Sequence, residues 1–188
     1  MSLVLGIFGW LIKLLVMVLC IRFHTRGYFL PSNELVKGLR RLTDALVLPF
    51  ERLLPTKRFD RAALAAGLVV CLLHSLILLW NLNSFSLLAL LRIGVGNFLL
   101  SWSDMIFYCI IIGVIASWLQ TPAHNPVMQV VHSCSQWYLA PIRKWIPSLP
   151  MPKSLGGGLA LDLSPLVAML GLFLFQTMVI GSILKMFM

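Results

Sequence analysis

Residues 35–55 and 127–147 carry one pattern twice, at a constant offset of 92. Leu35, Leu39, Leu42, Leu46, Phe50 and Leu53 recur as Val127, Val131, Cys134, Tyr138, Ile142 and Trp145. Pro49 and Pro55 recur as Pro141 and Pro147. Each copy follows one long apolar stretch and precedes another. An internal repeat on this scale constrains architecture more than any single residue does. Here it predicts two like halves, each ordered span, amphipathic segment, span.

The environment follows from composition. Hydrophobic residues make up 60% of the 188-residue chain and charged residues only 11%, with a mean hydropathy of +0.94. A soluble domain would be far richer in charge. The positive charge is concentrated: residues 22–61 hold nine Lys or Arg against four acids. A basic block between two apolar spans is expected to face anionic lipid headgroups rather than nucleic acid. Cys20, Cys71, Cys109 and Cys134 form no C-x-x-C pair, and three lie in apolar stretches, so they read as small packing residues. The N-terminus has no basic start and no A-x-A site, so residues 3–21 are read as a retained span.

A bilayer-crossing helix needs about 20 mostly apolar residues. Residues 3–21, 62–80, 98–118 and 166–187 meet this. Residues 85–119 as one helix would be roughly 50 Å long, more than a bilayer holds. Arg92 and the run Gly94-Val95-Gly96-Asn97 therefore predict a break. The expected form is an interfacial segment over 84–93 followed by the span, with a re-entrant segment or a fifth, tilted span as alternatives. The chain thus divides into a first repeat at 1–82, a connector at 83–97 and a second repeat at 98–188. Trp80, Trp102 and Trp118 fall near span ends, as an aromatic belt requires. With four spans, loops 22–61 and 119–165 share one side and carry twelve Lys or Arg, whereas the opposite loop carries only Arg92. The positive-inside bias then places both amphipathic segments in the cytoplasm and both termini outside.

On a helix of 100° per residue the apolar residues of 35–54 form one stripe, with Lys37, Arg40, Arg41, Asp44, Glu51 and Arg52 on the other side. In the second copy, residues 127–146, the polar side holds Gln129, His132, Gln136, Arg143 and Lys144. Such helices lie in the membrane plane, and they can also pack on their own bundle. Pro49 and Pro141 should kink them, and Pro55 and Pro147 should end them. Arg143 and Lys144 suit both the negative end of the helix dipole and the headgroup layer. Gly156-Gly157-Gly158 reads as a loop within 148–161. In Asp162-Leu163-Ser164-Pro165, Ser164 reads as an N-cap and Pro165 as the first helical residue. Asp60 is the first-copy counterpart of Asp162 and also reads as a capping residue.

These elements together resemble the YggT family of small bacterial membrane proteins, in its tandem two-unit form. The residues that carry the resemblance are Arg22 ending the first span and Ser117-Trp118 ending the third. The others are Leu48-Pro49-Phe50-Glu51-Arg52-Leu53-Leu54-Pro55, Ala140-Pro141-Ile142-Arg143-Lys144-Trp145-Ile146-Pro147 and Asp162-Leu163-Ser164-Pro165. The first copy departs from the family in having Glu51 where a basic residue is usual. The second departs in its glycine-rich insertion. The resemblance implies an inner-membrane protein with roles linked to cytochrome maturation, to the distribution of division machinery or nucleoids, or to potassium uptake and osmotic stress.

Two charges fall within spans. Lys13 is midway along the first and Asp104 about two turns into the third. Such charges face the bundle interior, pair, or snorkel. Pairing of Lys13 with Asp104 is the expectation. His74 has no partner histidine at similar depth, and all four histidines read as packing or hydrogen-bonding residues. The sequence shows no nucleophile–base pair, phosphate loop or metal-ligand spacing, so no cofactor or enzymatic activity is expected. The fold is expected to be all-α, an integral membrane protein with four transmembrane helices in two parallel span–amphipathic helix–span repeats. The expected function is that of an accessory or assembly protein that docks a membrane-protein client or anionic lipid. Ion or osmolyte transport is the alternative. Self-association is left open.

Overall fold

The computed structural model describes residues 2–27, 33–54, 59–83, 85–122, 124–146, 149–150 and 160–185. Six helices account for nearly all of them. They are α1 (Ser2–Gly27), α2 (Glu34–Glu51), α3 (Arg61–Asn81), α4 (Leu87–Trp118), α5 (Pro126–Trp145) and α6, which starts at Ser164–Leu174. α6 runs on through a π-helical turn, Phe175–Ile180, into a last α turn, Gly181–Lys185. Leu149–Pro150 pairs antiparallel with Ala160–Leu161 across the insertion. α1, α3, α4 and α6 are long and apolar enough to cross a membrane, so the chain is a multi-pass membrane protein. The glycine run 156–158 lies outside the described residues.

Each amphipathic helix, α2 and α5, opens on an asparagine. Asn33 Oδ1 accepts from the amides of Leu35 and Val36, and Asn125 Oδ1 accepts from that of Val127. These caps satisfy donors that the first helical turn leaves free. They stand 92 residues apart, so the repeat begins two residues earlier than its apolar pattern shows. Pro49 and Pro141 lie inside the last turns, and both helices run through them.

The expected break at Gly94–Asn97 is absent: α4 is one helix of 32 residues. The reason lies in packing. A Cβ on Gly94 would stand 3.2 Å from Leu72 Cα and 2.5 Å from its Cδ2. Gly94 therefore lets α3 and α4 approach closely, which is what a missing side chain achieves between membrane helices. At 1.5 Å per residue α4 is about 48 Å long, so it must tilt or project beyond the hydrocarbon layer.

The main core joins both halves. It is built from Val16 and Cys20 of α1, Cys71 of α3, Ile106 and Ile110 of α4, Cys134 of α5 and Ala168 of α6, among others. The four cysteines are buried free thiols, one each on α1, α3, α4 and α5. A smaller core, with Leu19, Val47, Ala62 and Ala66, seats α2 on α1 and α3.

Candidate functional site

The organising residue of the first half is Arg22, near the end of α1. It is 3% exposed, and its guanidinium gathers three carboxylates. Nε donates to Asp60 Oδ2 at 2.8 Å, Nη1 to Asp44 Oδ1 at 2.6 Å, and Nη2 to Glu51 Oε1 at 3.1 Å. Nη1 also reaches Thr43 Oγ1 at 2.8 Å and the Arg40 carbonyl at 3.2 Å. The Asp60 side chain is 1% exposed and serves two purposes, since its Oδ1 also caps α3 through the Ala63 amide. A planar fork with five donors can meet several acids at once, and the acids in turn make its burial tolerable. One side chain thus ties together α1, α2 and the start of α3.

This explains which face of α2 is buried. Val36, Thr43 and Val47 point inward, with Asp44 and Glu51 alongside. That face is rotated by roughly 90° from the leucine stripe. The stripe is left largely outside the bundle: Leu35, Leu42, Leu46 and Leu53 are exposed, Leu42 by 82%. In α5 the matching stripe turns inward instead. Val131 and Cys134 are buried, and Tyr138 and Ile142 pack against the main core.

The second half has no arginine at the position of Arg22; Val114 stands there. Its guanidinium comes from Arg143, the counterpart of Glu51. Arg143 Nε donates to Asp162 Oδ2 at 2.8 Å, the contact that Arg22 makes to Asp60. Arg143 Nη1 donates to Gln136, the counterpart of Asp44, at 3.1 Å. Gln136 Nε2 stands 3.4 Å from His132 Nδ1. Here the pair is open to its surroundings, with Arg143 41% and Asp162 32% exposed. Asp162 also accepts from the Ser164 amide at 2.9 Å. Partial burial pushes the Asp162 carboxyl up, but the hydrogen bonds from Ser164 and Arg143 outweigh it and hold its pKa below the usual value.

Lys13 and Asp104 do meet. Lys13 Nζ lies 2.5 Å from Asp104 Oδ2, and both side chains are mostly buried. Gln176, in the π-helical turn of α6, completes the cluster. Its Nε2 donates to Asp104 Oδ1 at 2.8 Å and to Ser103 Oγ at 3.0 Å. A polar side chain displayed by a π turn is a frequent way to place a group that a regular helix would misdirect. The cluster joins α1 of the first half to α4 and α6 of the second.

A second cross-half network surrounds His24. Its Nδ1 lies 2.8 Å from the Cys20 carbonyl, which can only accept. Neutral His24 therefore offers Nε2 to the Tyr138 hydroxyl at 3.1 Å, and that hydroxyl accepts from Trp102 Nε1 at 2.9 Å. Burial pushes the Tyr138 phenol up to about 12. Asn33 adds a last tie, donating to the Pro126 carbonyl and to Gln129 at the start of α5.

Other residues singled out by sequence are dispersed. Ser117, Trp118, Arg52 and Lys144 are exposed. Pro55 and Pro147 lie outside the described residues. α6 begins one residue earlier than expected: Leu163 stands at the N-cap, Ser164 is the first helical residue and Pro165 the second. The capping acceptor is Asp162, because its carboxylate reaches the Ser164 amide. Sequence reasoning missed Asn33, Thr43 and Gln176. Only Asn33 carried a signal, its repetition as Asn125. Among the described residues no group of three or more His, Cys, Asp or Glu is arranged to hold a metal ion.

The family model described as CCB3/YggT matches residues 1–81 and again 85–183. An uncharacterized protein of Pseudomonas aeruginosa is 33% identical over 166 residues, covering 82% of this chain and 76% of the relative. An uncharacterized protein of Haemophilus influenzae is 29% identical, covering 86% of this chain and 82% of its own. One of Vibrio alginolyticus is 28% identical, covering 93% and 91%. No solved structure matches.

Proposed function

Because the chain belongs to the CCB3/YggT family, we propose that it is a non-enzymatic accessory protein of the bacterial inner membrane. α2 and α5 lie in the cytoplasmic membrane surface, with both termini outside, and together present a docking platform to a membrane-protein client and to anionic lipid. The observation that carries this reading is the exposed leucine face of α2. Arg22 fixes the helix by its acidic side, so Leu35, Leu42, Leu46 and Leu53 stay free to enter the acyl boundary. Arg143, Lys144 and the exposed Trp145 at the end of α5 add basic and aromatic anchors. Clients within the family's orbit include a maturing cytochrome or a complex under envelope stress.

The pairing of Lys13 with Asp104 favours this reading over ion transport, since a cation pathway needs the acid available to the ion. Robust potassium flux in proteoliposomes, lost in Asp104→Asn, would reverse that preference. For the platform itself, the experiment is purification in native lipid of the wild type and of Arg143→Glu with Lys144→Glu. The variant should keep its helicity and lose its co-purifying membrane partner. Unchanged co-purification, together with unchanged growth under osmotic stress, sinks the proposal.

A further inference from the structure

The two halves differ where each span meets its amphipathic helix. At the end of α1, Ile21 packs against the main core, His24 is buried and bonded to Tyr138 of α5, and Thr25 is fully buried. Ninety-two positions later the matching positions hold Gly113, Ala116 and Ser117. Beside these small residues lies a cavity of about 330 Å3, between the end of α4 and the first turns of α5. Met128, in place of Val36, lines it.

The lining has a polarity axis. Gly113, Ala116 and Met128 are apolar, and the last two are buried. Gly113 and Ala116 also lie deeper along the span than the residues that follow. Ser117, Gln120 and His132 are exposed and Thr121 half-buried, and these four bring only hydroxyl, carboxamide and imidazole groups. Among the described residues no carboxylate lines the cavity. Between Asp104 and Asp162 the sequence contains no Asp or Glu, so the end of α4 and the whole of α5 bring no acid to it. The corresponding part of the first half carries Glu34, Asp44 and Glu51. An acid-free, donor-rich mouth over an apolar floor at a span's end matches an amphiphile with an anionic head. Trp118 and Leu119, both exposed beside the cavity, are residues suited to the interfacial layer.

We propose that the α4–α5 cleft holds one anionic phospholipid, its phosphate among Ser117, Gln120 and His132 and its glycerol–acyl junction against Ala116 and Met128. The inference rests on the reading that α5 lies at the membrane surface. It adds that the second half binds a single lipid specifically, at a place where the matching positions of the first half carry the bulkier Ile21, His24 and Thr25.

The test uses the full chain in nanodiscs of phosphatidylcholine with phosphatidylglycerol, released for native mass spectrometry. The wild type should retain one phosphatidylglycerol per chain. Ala116→Phe, which fills the cleft, should lower retention at least about tenfold. His132→Ala, which adds no bulk, should lower it about five-fold with unaltered helicity and melting. Equal retention in wild type and His132→Ala with Ala116→Phe overturns the inference. Displacement of the lipid by millimolar inorganic phosphate also overturns it, since the cleft would then be a site for free anions. The surface reading fails separately: a fluorophore at Gln129 that headgroup-attached quencher lipid leaves unquenched would place α5 away from the headgroups.

Discussion

The two halves keep one bond and exchange its owner. In each, an arginine Nε donates to the aspartate before the closing span at 2.8 Å. In the first half the guanidinium rises from the span and also meets acids on α2. In the second it belongs to α5, and the span offers only Val114. The consequence is a difference in burial. Arg22 with Asp60 is sealed, at 3% and 1% exposed, whereas Arg143 with Asp162 is open, at 41% and 32%. A duplicated segment can thus preserve a contact while changing it from a buried anchor into an exposed latch. The same contrast separates the leucine stripe of α2, left outside, from the stripe of α5, folded in.

The largest effect that tests this contrast is expected at Arg22. Arg22→Ala removes the buried guanidinium from Asp60, Asp44 and Glu51 together and should cost about 3–5 kcal/mol of unfolding free energy in detergent titration. Arg143→Ala should cost no more than about 1 kcal/mol, as exposed pairs do. Equal losses would show that the halves are not anchored differently. Next in size is the seam. Lys13→Ala leaves Asp104 uncompensated within the span and should cost about 2–3 kcal/mol, with part recovered in Lys13→Ala/Asp104→Asn. Additive losses in that double-mutant cycle would mean that the pair does not couple the halves. Gly94→Ala should cost about 1–3 kcal/mol by forcing Leu72 away. A neutral result there would return the glycine to a conformational role.

The smallest effect concerns pH. The folded pKa of Asp162 is depressed, so its contribution is present above the unfolded carboxyl pKa and is lost as pH falls through the folded value. Melting of the wild type and of Asp162→Asn should therefore differ slightly near neutrality and converge in strong acid. A gap that widens as pH falls would contradict the sign.

The spans, the two amphipathic helices and the Lys13–Asp104 pair are legible because each rests on a short-range rule: apolar length, periodicity, or the cost of a charge in hydrocarbon. Gly94 was misread because a glycine that permits a turn and one that permits close approach look alike until the opposing Leu72 is placed. The buried face of α2 was hidden for a related reason. Leucines mark the apolar side of a helix, but the guanidinium of Arg22, arriving from another helix, turns the edge with Val36, Thr43 and Val47 inward instead. The cavity in the second half needed both copies superposed in mind, since Gly113 and Ala116 are unremarkable alone.

The Lys13–Asp104 contact also sets a schedule. Lys13 enters the membrane early in synthesis, before its acid exists. At roughly 5–20 residues per second, about ninety further residues take some 5–20 s. Throughout that delay the first helix carries a lysine that costs about 2.5–3.5 kcal/mol at mid-bilayer unless it snorkels. The nascent first half is therefore provisional, and its position becomes final only when the third span, α4, arrives with Asp104. Ribosome pausing between the two codons would prolong the interval in which membrane quality control can seize the chain.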